Sequence, residues 1–125
     1  MVGTDAVRSA IEVVTQLIAA IGDGRDETVL ELVDPAVQWR PVTRPGQSVY
    51  YGHTGMLRFM SDLQGAYGPF RIEVEYIMAT TATEVVSRSR PVRETPSGDQ
   101  PGESIVSVYT VHEGRVIGLE SELAP

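Results

Sequence analysis

Ile105-Val-Ser-Val-Tyr-Thr-Val-His-Glu-Gly-Arg-Val-Ile-Gly-Leu-Glu-Ser-Glu-Leu123 reads as two strands, Glu103 to His112 and Arg115 to Leu123, joined tightly at Glu113-Gly114. Side chains alternate in character at a period of two, and glycine suits the tight reversal. Upstream, the same period runs from Phe70: Phe70, Ile72, Val74, Tyr76 and Met78 alternate with Arg71, Glu73 and Glu75. That predicts a strand with one buried face and one wet face, the two glutamates pointing outward. Thr83 to Arg93 reads as a further strand, and the Pro/Gly/Ser-rich segment Glu94 to Gly102 as a turn region. The second half of the chain is therefore a four-stranded antiparallel meander.

The first half has the helical period instead. Val7, Ala10, Ile11, Val14, Leu17, Ile18 and Ile21 fall at three- and four-residue steps, with Thr4 or Asp5 to cap the start and Gly22 and Gly24 to end the helix. A shorter helix is expected from Asp26 to Val33, stopped at Asp34-Pro35, then a short strand from Ala36 to Pro41 and a loop from Thr43 to Ser48. A third helix opens near His53-Thr54, with Thr54 as N-cap; Met56, Leu57, Met60, Leu63 and Tyr67 form its stripe, and Gly65, Gly68 and Pro69 close it. Tyr50-Tyr51-Gly52 reads as the strand-to-helix junction. Three helices against a curved, mainly antiparallel sheet define an α+β fold with a cavity between the layers.

Composition narrows the function classes. The 125 residues, 42% hydrophobic, suit a single globular domain over 1–125. With no cysteine, disulfides, thiolate catalysis and Cys-based metal centres are excluded, and His53 and His112 alone are a poor start for a metal site. A net charge of −7 lacks the basic patch that nucleic acid or an anionic membrane needs. No nucleotide-binding glycine motif is present, and no metal, flavin or haem is expected. The chain reads as soluble and cytoplasmic, because Arg8, Glu12 and Gln16 interrupt the apolar positions that a leader or membrane span would need.

The segments Val37-Gln-Trp-Arg-Pro41, Tyr50-Tyr-Gly-His-Thr-Gly55 and Val108-Tyr-Thr-Val-His-Glu-Gly-Arg-Val116, followed by Leu119-Glu120, resemble SnoaL-like domains of the nuclear-transport-factor-2-like superfamily. The superfamily includes polyketide cyclases, ketosteroid isomerases and epoxide hydrolases. The resemblance, from about Asp5 to Leu123, implies a cone-shaped α+β barrel with a pocket for a small hydrophobic polyketide-, steroid- or terpenoid-like molecule. It also implies a homodimer through the outer sheet face, for which Val106, Val108 and Thr110 supply a second row. Carried over by position, the isomerase base falls at Arg40, its tyrosine donor at Leu17 and its protonated acid at Ser107. None of the three matches. The Asp–Arg–Asp relay of the epoxide hydrolases has no matching aspartates either.

Strand alternation, with Ile117, Leu119 and Ser121 taken as inward, turns Glu120 and Glu122 away from the pocket. The expected pocket groups are Gln38, Arg40, Tyr76, Ser107, Tyr109, Leu119 and Ser121. Arg40 is a candidate clamp for a ligand anion or developing negative charge, against a rim salt bridge to Asp34 or Glu120. Tyr109 is a candidate hydroxyl donor, against plain core packing. His53 is a candidate general base, against a capping role at the helix start. Trp39 alternates with Arg40, so on this phase it faces away. Arg88, Arg90 and Arg93 read as a solvated or interface face. Two functions stand side by side: a cyclase-, isomerase- or hydrolase-type enzyme, and a non-catalytic ligand-binding or dimerisation module.

Overall fold

The computed structural model describes residues 2–42 and 49–125, with side chains from Ala10 onward; the loop expected over 43–48 lies outside the described residues. The order is α1 (Val2–Asp23), α2 (Asp26–Leu32), β1 (Val33–Arg40), β2 (Tyr50–Tyr51), α3 (Gly52–Tyr67), β3 (Phe70–Ala79), β4 (Glu84–Thr95), β5 (Gly98–Pro101), β6 (Ile105–His112) and β7 (Arg115–Leu123). The meander is β3-β4-β6-β7, all antiparallel. β1 adds parallel to β7, and β2 lies beyond β1. The segment expected as turn contains β5, which folds back on β4. All three helices precede β3 in the chain, as the period change at Phe70 requires.

Helix α1 buries Ala10, Val14, Leu17, Ile18 and Ile21 of the expected stripe, with Val13 and Ala20 joining them. It packs chiefly against β3. Fully buried side chains such as Leu17 and Val14 each contribute about 1.5–3 kcal/mol, so this stripe fixes the helix to the sheet. The expected caps Thr4 and Asp5 fall inside α1, which starts at Val2. Thr54 likewise falls inside α3: extended Tyr51 precedes that helix without a side-chain cap, and Gly52 turns the chain at φ +67°. No described helix is long and apolar enough to cross a membrane.

Three irregularities decide which side chains face the concave side. In β1 the ladder to β7 shifts between Val33 and Gln38, where Pro35 has no N–H to give and Asp34 Oδ1 accepts from the Ala36 N–H at 2.8 Å. Beyond it Val37 and Trp39 are buried, while Gln38 and Arg40 are exposed. This inverts the expected phase, because burying an indole and a valine outweighs burying an amide and a guanidinium. A bulge between Val74 and Tyr76 in β3 turns Ile77 and Ala79 onto the core and leaves Tyr76 and Met78 exposed. A shift between Thr110 and Val111 lets Val116 be buried and leaves Ile117 exposed, correcting its expected inward position.

Candidate conical cavity

Register aligns the inward residues in rows across the sheet. One row runs Trp39, Leu119, Tyr109, Val85 and Ala79; the next runs Ser121, Ser107, Ser87 and Ile77. A row of three inward serines in an otherwise apolar face is unusual, since a buried hydroxyl without a partner costs about 1–3 kcal/mol. Each of them has another hydroxyl as partner. Ser107 and Ser121 Oγ atoms are 2.7 Å apart, and Ser87 Oγ donates to Tyr109 Oη at 3.4 Å. Burial raises the Tyr109 pKa above its ordinary value, opposed by the Ser87 and Ser107 hydroxyls, so the phenol stays protonated near neutral pH.

Above these rows lies a cavity of about 120 Å³, walled by Trp39 and Tyr109 and roofed by Ile18 and Ile21 of α1 with Phe59 and Leu63 of α3. Ring contacts set its shape: Trp39 meets Phe59 at 5.5 Å and Tyr109 at 6.3 Å between centroids. Leu63, Tyr67, Pro91 and Ile105 also line an outer cleft of about 770 Å³, so cavity and cleft are consecutive parts of one depression. Asp62 and Glu103 lie on the cleft wall. Tyr50 Oη donates to Asp62 Oδ2 at 2.5 Å, and this bond is the main cause of a raised Tyr50 pKa. Among the described residues no carboxylate lines the inner cavity, and no group of three potential metal ligands occurs.

The expected site residues divide. Ser107, Tyr109, Leu119 and Ser121 come together on the cavity wall. Gln38 and Arg40 do not: they line a shallow groove of about 630 Å³ on the opposite face, beside Glu84 and Glu120, with Arg40 directly across from Glu120. Tyr76 shares the outer row of Arg88. His53 Nε2 donates to Val33 O at 3.0 Å, tying the start of α3 to β1. On the outer face of β3 and β4, Arg88 pairs with Glu75 at 2.8 Å and Arg90 with Glu73 at 3.2 Å, a solvated ladder.

Two groups escaped the sequence reading. Trp39 is the larger loss, and simple alternation of Val37 and Trp39 against Gln38 and Arg40 would have found it. The Tyr50–Asp62 pair has no such signal, because contacts between residues twelve apart across a junction depend on the angle of α3.

Comparison with known proteins agrees with this geometry. The model of the SnoaL-like domain matches residues 14–119. Bal32a, from a soil-derived mobile gene cassette, superposes with a TM-score of 0.79 at 19% identity, covering 94% of this chain and 91% of that one. TerC co-crystallised with polyporic acid gives 0.76 at 19% identity, covering 93% and 92%. An LEH-like epoxide hydrolase of M. tuberculosis gives 0.71 at 17% identity, covering 94% and 84%. At these identities the likeness is one of fold. No curated protein matches the chain in sequence.

Proposed function

Because the chain belongs to the SnoaL-like domain family, we propose that its conical cavity binds one small, mainly apolar molecule of polyketide-, steroid- or terpenoid-like kind. The observation that carries this reading is the cavity wall itself: aromatic and aliphatic side chains enclosing a few mutually bonded hydroxyls. Such a lining favours apolar surface and fixes orientation through a few polar groups. Size fits as well. An apolar cavity of about 150 Å³ holds benzene, so the inner 120 Å³ suits about one ring and the cleft takes the remainder. That a relative of the same fold was co-crystallised with polyporic acid supports a small-molecule role.

Binding without turnover is the reading the lining favours, since no carboxylate reaches the inner wall among the described residues. A catalytic reading of the cyclase, isomerase or hydrolase type has one observation in its favour, the Asp62 carboxylate held at the mouth by Tyr50. Isothermal titration with a panel of bicyclic and tricyclic hydrocarbons, ketones and epoxides tests both. Leu63→Trp, which plugs the passage between cavity and cleft, is expected to abolish binding, and Arg40→Ala to leave it unchanged. Loss on Arg40→Ala with retention on Leu63→Trp overturns the cavity reading; product formation that Asp62→Asn removes establishes the catalytic one.

The outer sheet face is proposed as a homodimer interface. Its row Met78–Val86–Val108 presents apolar side chains away from the core, and in the next row Tyr76 and Val106 flank the ion-paired Arg88; Tyr76 is 39% and Met78 51% exposed. A strand apolar on both faces is covered twice.

A further inference from the structure

Helix α3 is held to the sheet by its first half. His53 bonds to Val33 O, and Phe59 meets Trp39 of β1 at 5.5 Å and Tyr50 of β2 at 5.4 Å between ring centroids. The buried residues of the helix, Met56, Phe59 and Met60, all belong to that half. From Ser61 to Tyr67 no residue is buried: Leu63 and Tyr67 are half-buried and the rest are exposed. Local stability follows buried apolar contact, so these last two turns are the part of α3 that opens most readily. Gly65 adds to this, because glycine in a helix interior is the poorest helix former after proline.

The same segment lies across the way into the cavity. Leu63 lines three spaces: the inner cavity of about 120 Å³, the cleft of about 770 Å³, and a groove of about 260 Å³ between α3 and the end of α1. Asp62 and Ala66 line the cleft, whereas Leu57 and Gln64 line the groove. At 3.6 residues per turn these two pairs fall on opposite flanks of the helix. The end of α3 therefore bridges the depression, with the cavity beneath it and an opening on either side. A side-chain bond holds the bridge down: Tyr50 Oη donates to Asp62 Oδ2 at 2.5 Å. Tyr50 is buried against Phe59, so it is a fixed post, and Asp62 belongs to the first turn of the loosely packed segment.

We propose that Ser61–Tyr67 is a lid over the inner cavity, latched by the Tyr50–Asp62 bond, and that a ligand enters and leaves when these two turns unwind. This rests on the cavity-binding reading above and adds to it the route and the step that sets the rate. When the lid opens, Leu63 leaves the boundary, and cavity, cleft and groove become one space. The lid is closed before entry and closed again afterwards. A change in its stability thus alters the entry and exit rates by one factor and leaves the dissociation constant where it was.

Two neighbouring exposed positions allow the lid to be tightened and loosened, and neither lines the inner cavity. Gly65→Ala favours the helix, since a Cβ there meets nothing within 4 Å, and Ala66→Gly disfavours it by a like amount. Line-shape analysis of ¹⁵N-edited NMR spectra, during titration of the full chain with 1-indanone, yields both rate constants. Gly65→Ala is expected to slow entry and exit about two- to fivefold each, and Ala66→Gly to speed each by as much, with the dissociation constant unchanged. Tyr50→Phe keeps the ring against Phe59 and removes the latch, so it speeds both about two- to tenfold. In the ligand-free chain the amides of Leu63–Tyr67 exchange with solvent faster than those of Met56–Met60, and the three substitutions shift them in the same sense as the rates. If 1-indanone binds but none of the substitutions moves its rates, the lid is wrong and the cavity reading survives. An affinity change carried by the exit rate alone has the same consequence, because it marks these residues as ligand contacts. Equal protection along the whole of α3 refutes the lid whether or not the probe binds. If 1-indanone does not bind the wild type, the cavity reading fails and the lid with it.

Discussion

Replacing Gly52 by alanine tests whether the junction between β2 and α3 is built as described. Gly52 has φ +67°, where an L-residue is disfavoured by about 1–2 kcal/mol. A Cβ built there lies 2.8 Å from the carbonyl oxygen of Pro35, a backbone atom of β1 that cannot swing aside. Relieving such an overlap costs about 1–3 kcal/mol, for a combined destabilisation of about 2–5 kcal/mol. A chain of this length is stable by roughly 6–19 kcal/mol, taking about 0.05–0.15 kcal/mol per residue, so the variant folds but with a visible loss. At roughly 4 °C per kcal/mol the melting temperature falls by about 8–20 °C. Gly65 is the control: it is exposed on α3, a Cβ there meets nothing within 4 Å, and alanine is expected to stabilise by about 0.5–1 kcal/mol. Urea unfolding followed by Trp39 fluorescence reads both, since the only tryptophan is buried in the core. An unchanged midpoint for Gly52→Ala, or shifts of the same sign for both variants, would refute the steric account of the junction.

Two further expectations concern the buried phenol and the outer face. Burial raises the Tyr109 pKa in the folded state, so its stabilising contribution is complete below the unfolded value near 10 and is lost as the pH climbs through the folded one. Tyr50 shifts in the same direction through Asp62, so the comparison is a difference: Tyr109→Phe loses less stability than the wild type on going from about pH 9 to about pH 11. Parallel losses in urea titrations would show that Tyr109 is not the group responsible. On the convex side, Val108→Glu places a charge between Val86 and Glu120 in the middle of the proposed interface. Sedimentation equilibrium is expected to show a wild-type dimer and a variant at least about a hundredfold weaker, because an unpaired buried charge costs several kcal/mol. A monomeric wild type, or a variant dimer of full strength, removes the interface from this face.

How much was legible in the sequence depended on which force set each feature. Helix α1 and the strands β6 and β7 follow from periodic burial, and Arg115 to Leu123 was bounded as found, because a long amphipathic run has one low-energy orientation. The inward set Ser107, Tyr109, Leu119 and Ser121 followed from the same alternation. The misplacements arose where alternation is broken. The bulge at Val74/Tyr76 inserts one residue, and Tyr76 and Met78 move to the other face while Ile77 and Ala79 replace them. No residue in Val74-Glu-Tyr76 announces this; it comes from the curvature the sheet needs to wrap α1. Gln38 and Arg40 failed for a different reason. Their expected orientation followed a position-by-position likeness to isomerases, against the chain's own pattern of Val37 and Trp39.

That single inversion moves the chemistry. With Arg40 inward, the cavity would hold a fixed positive charge and would select an anion, or stabilise one as it formed. With Arg40 outward beside Glu120, the cavity has no fixed charge among its described lining residues, and its polar character reduces to uncharged hydrogen-bonding groups, chiefly hydroxyls that both donate and accept. Ionisable groups lie elsewhere: Asp62 and Glu103 at the cleft, Arg40 and Glu120 on the convex face. A one-residue change of phase in β1 would turn Arg40 toward the cavity and Trp39 away from it, so the register beyond Pro35 decides whether that wall carries a charge.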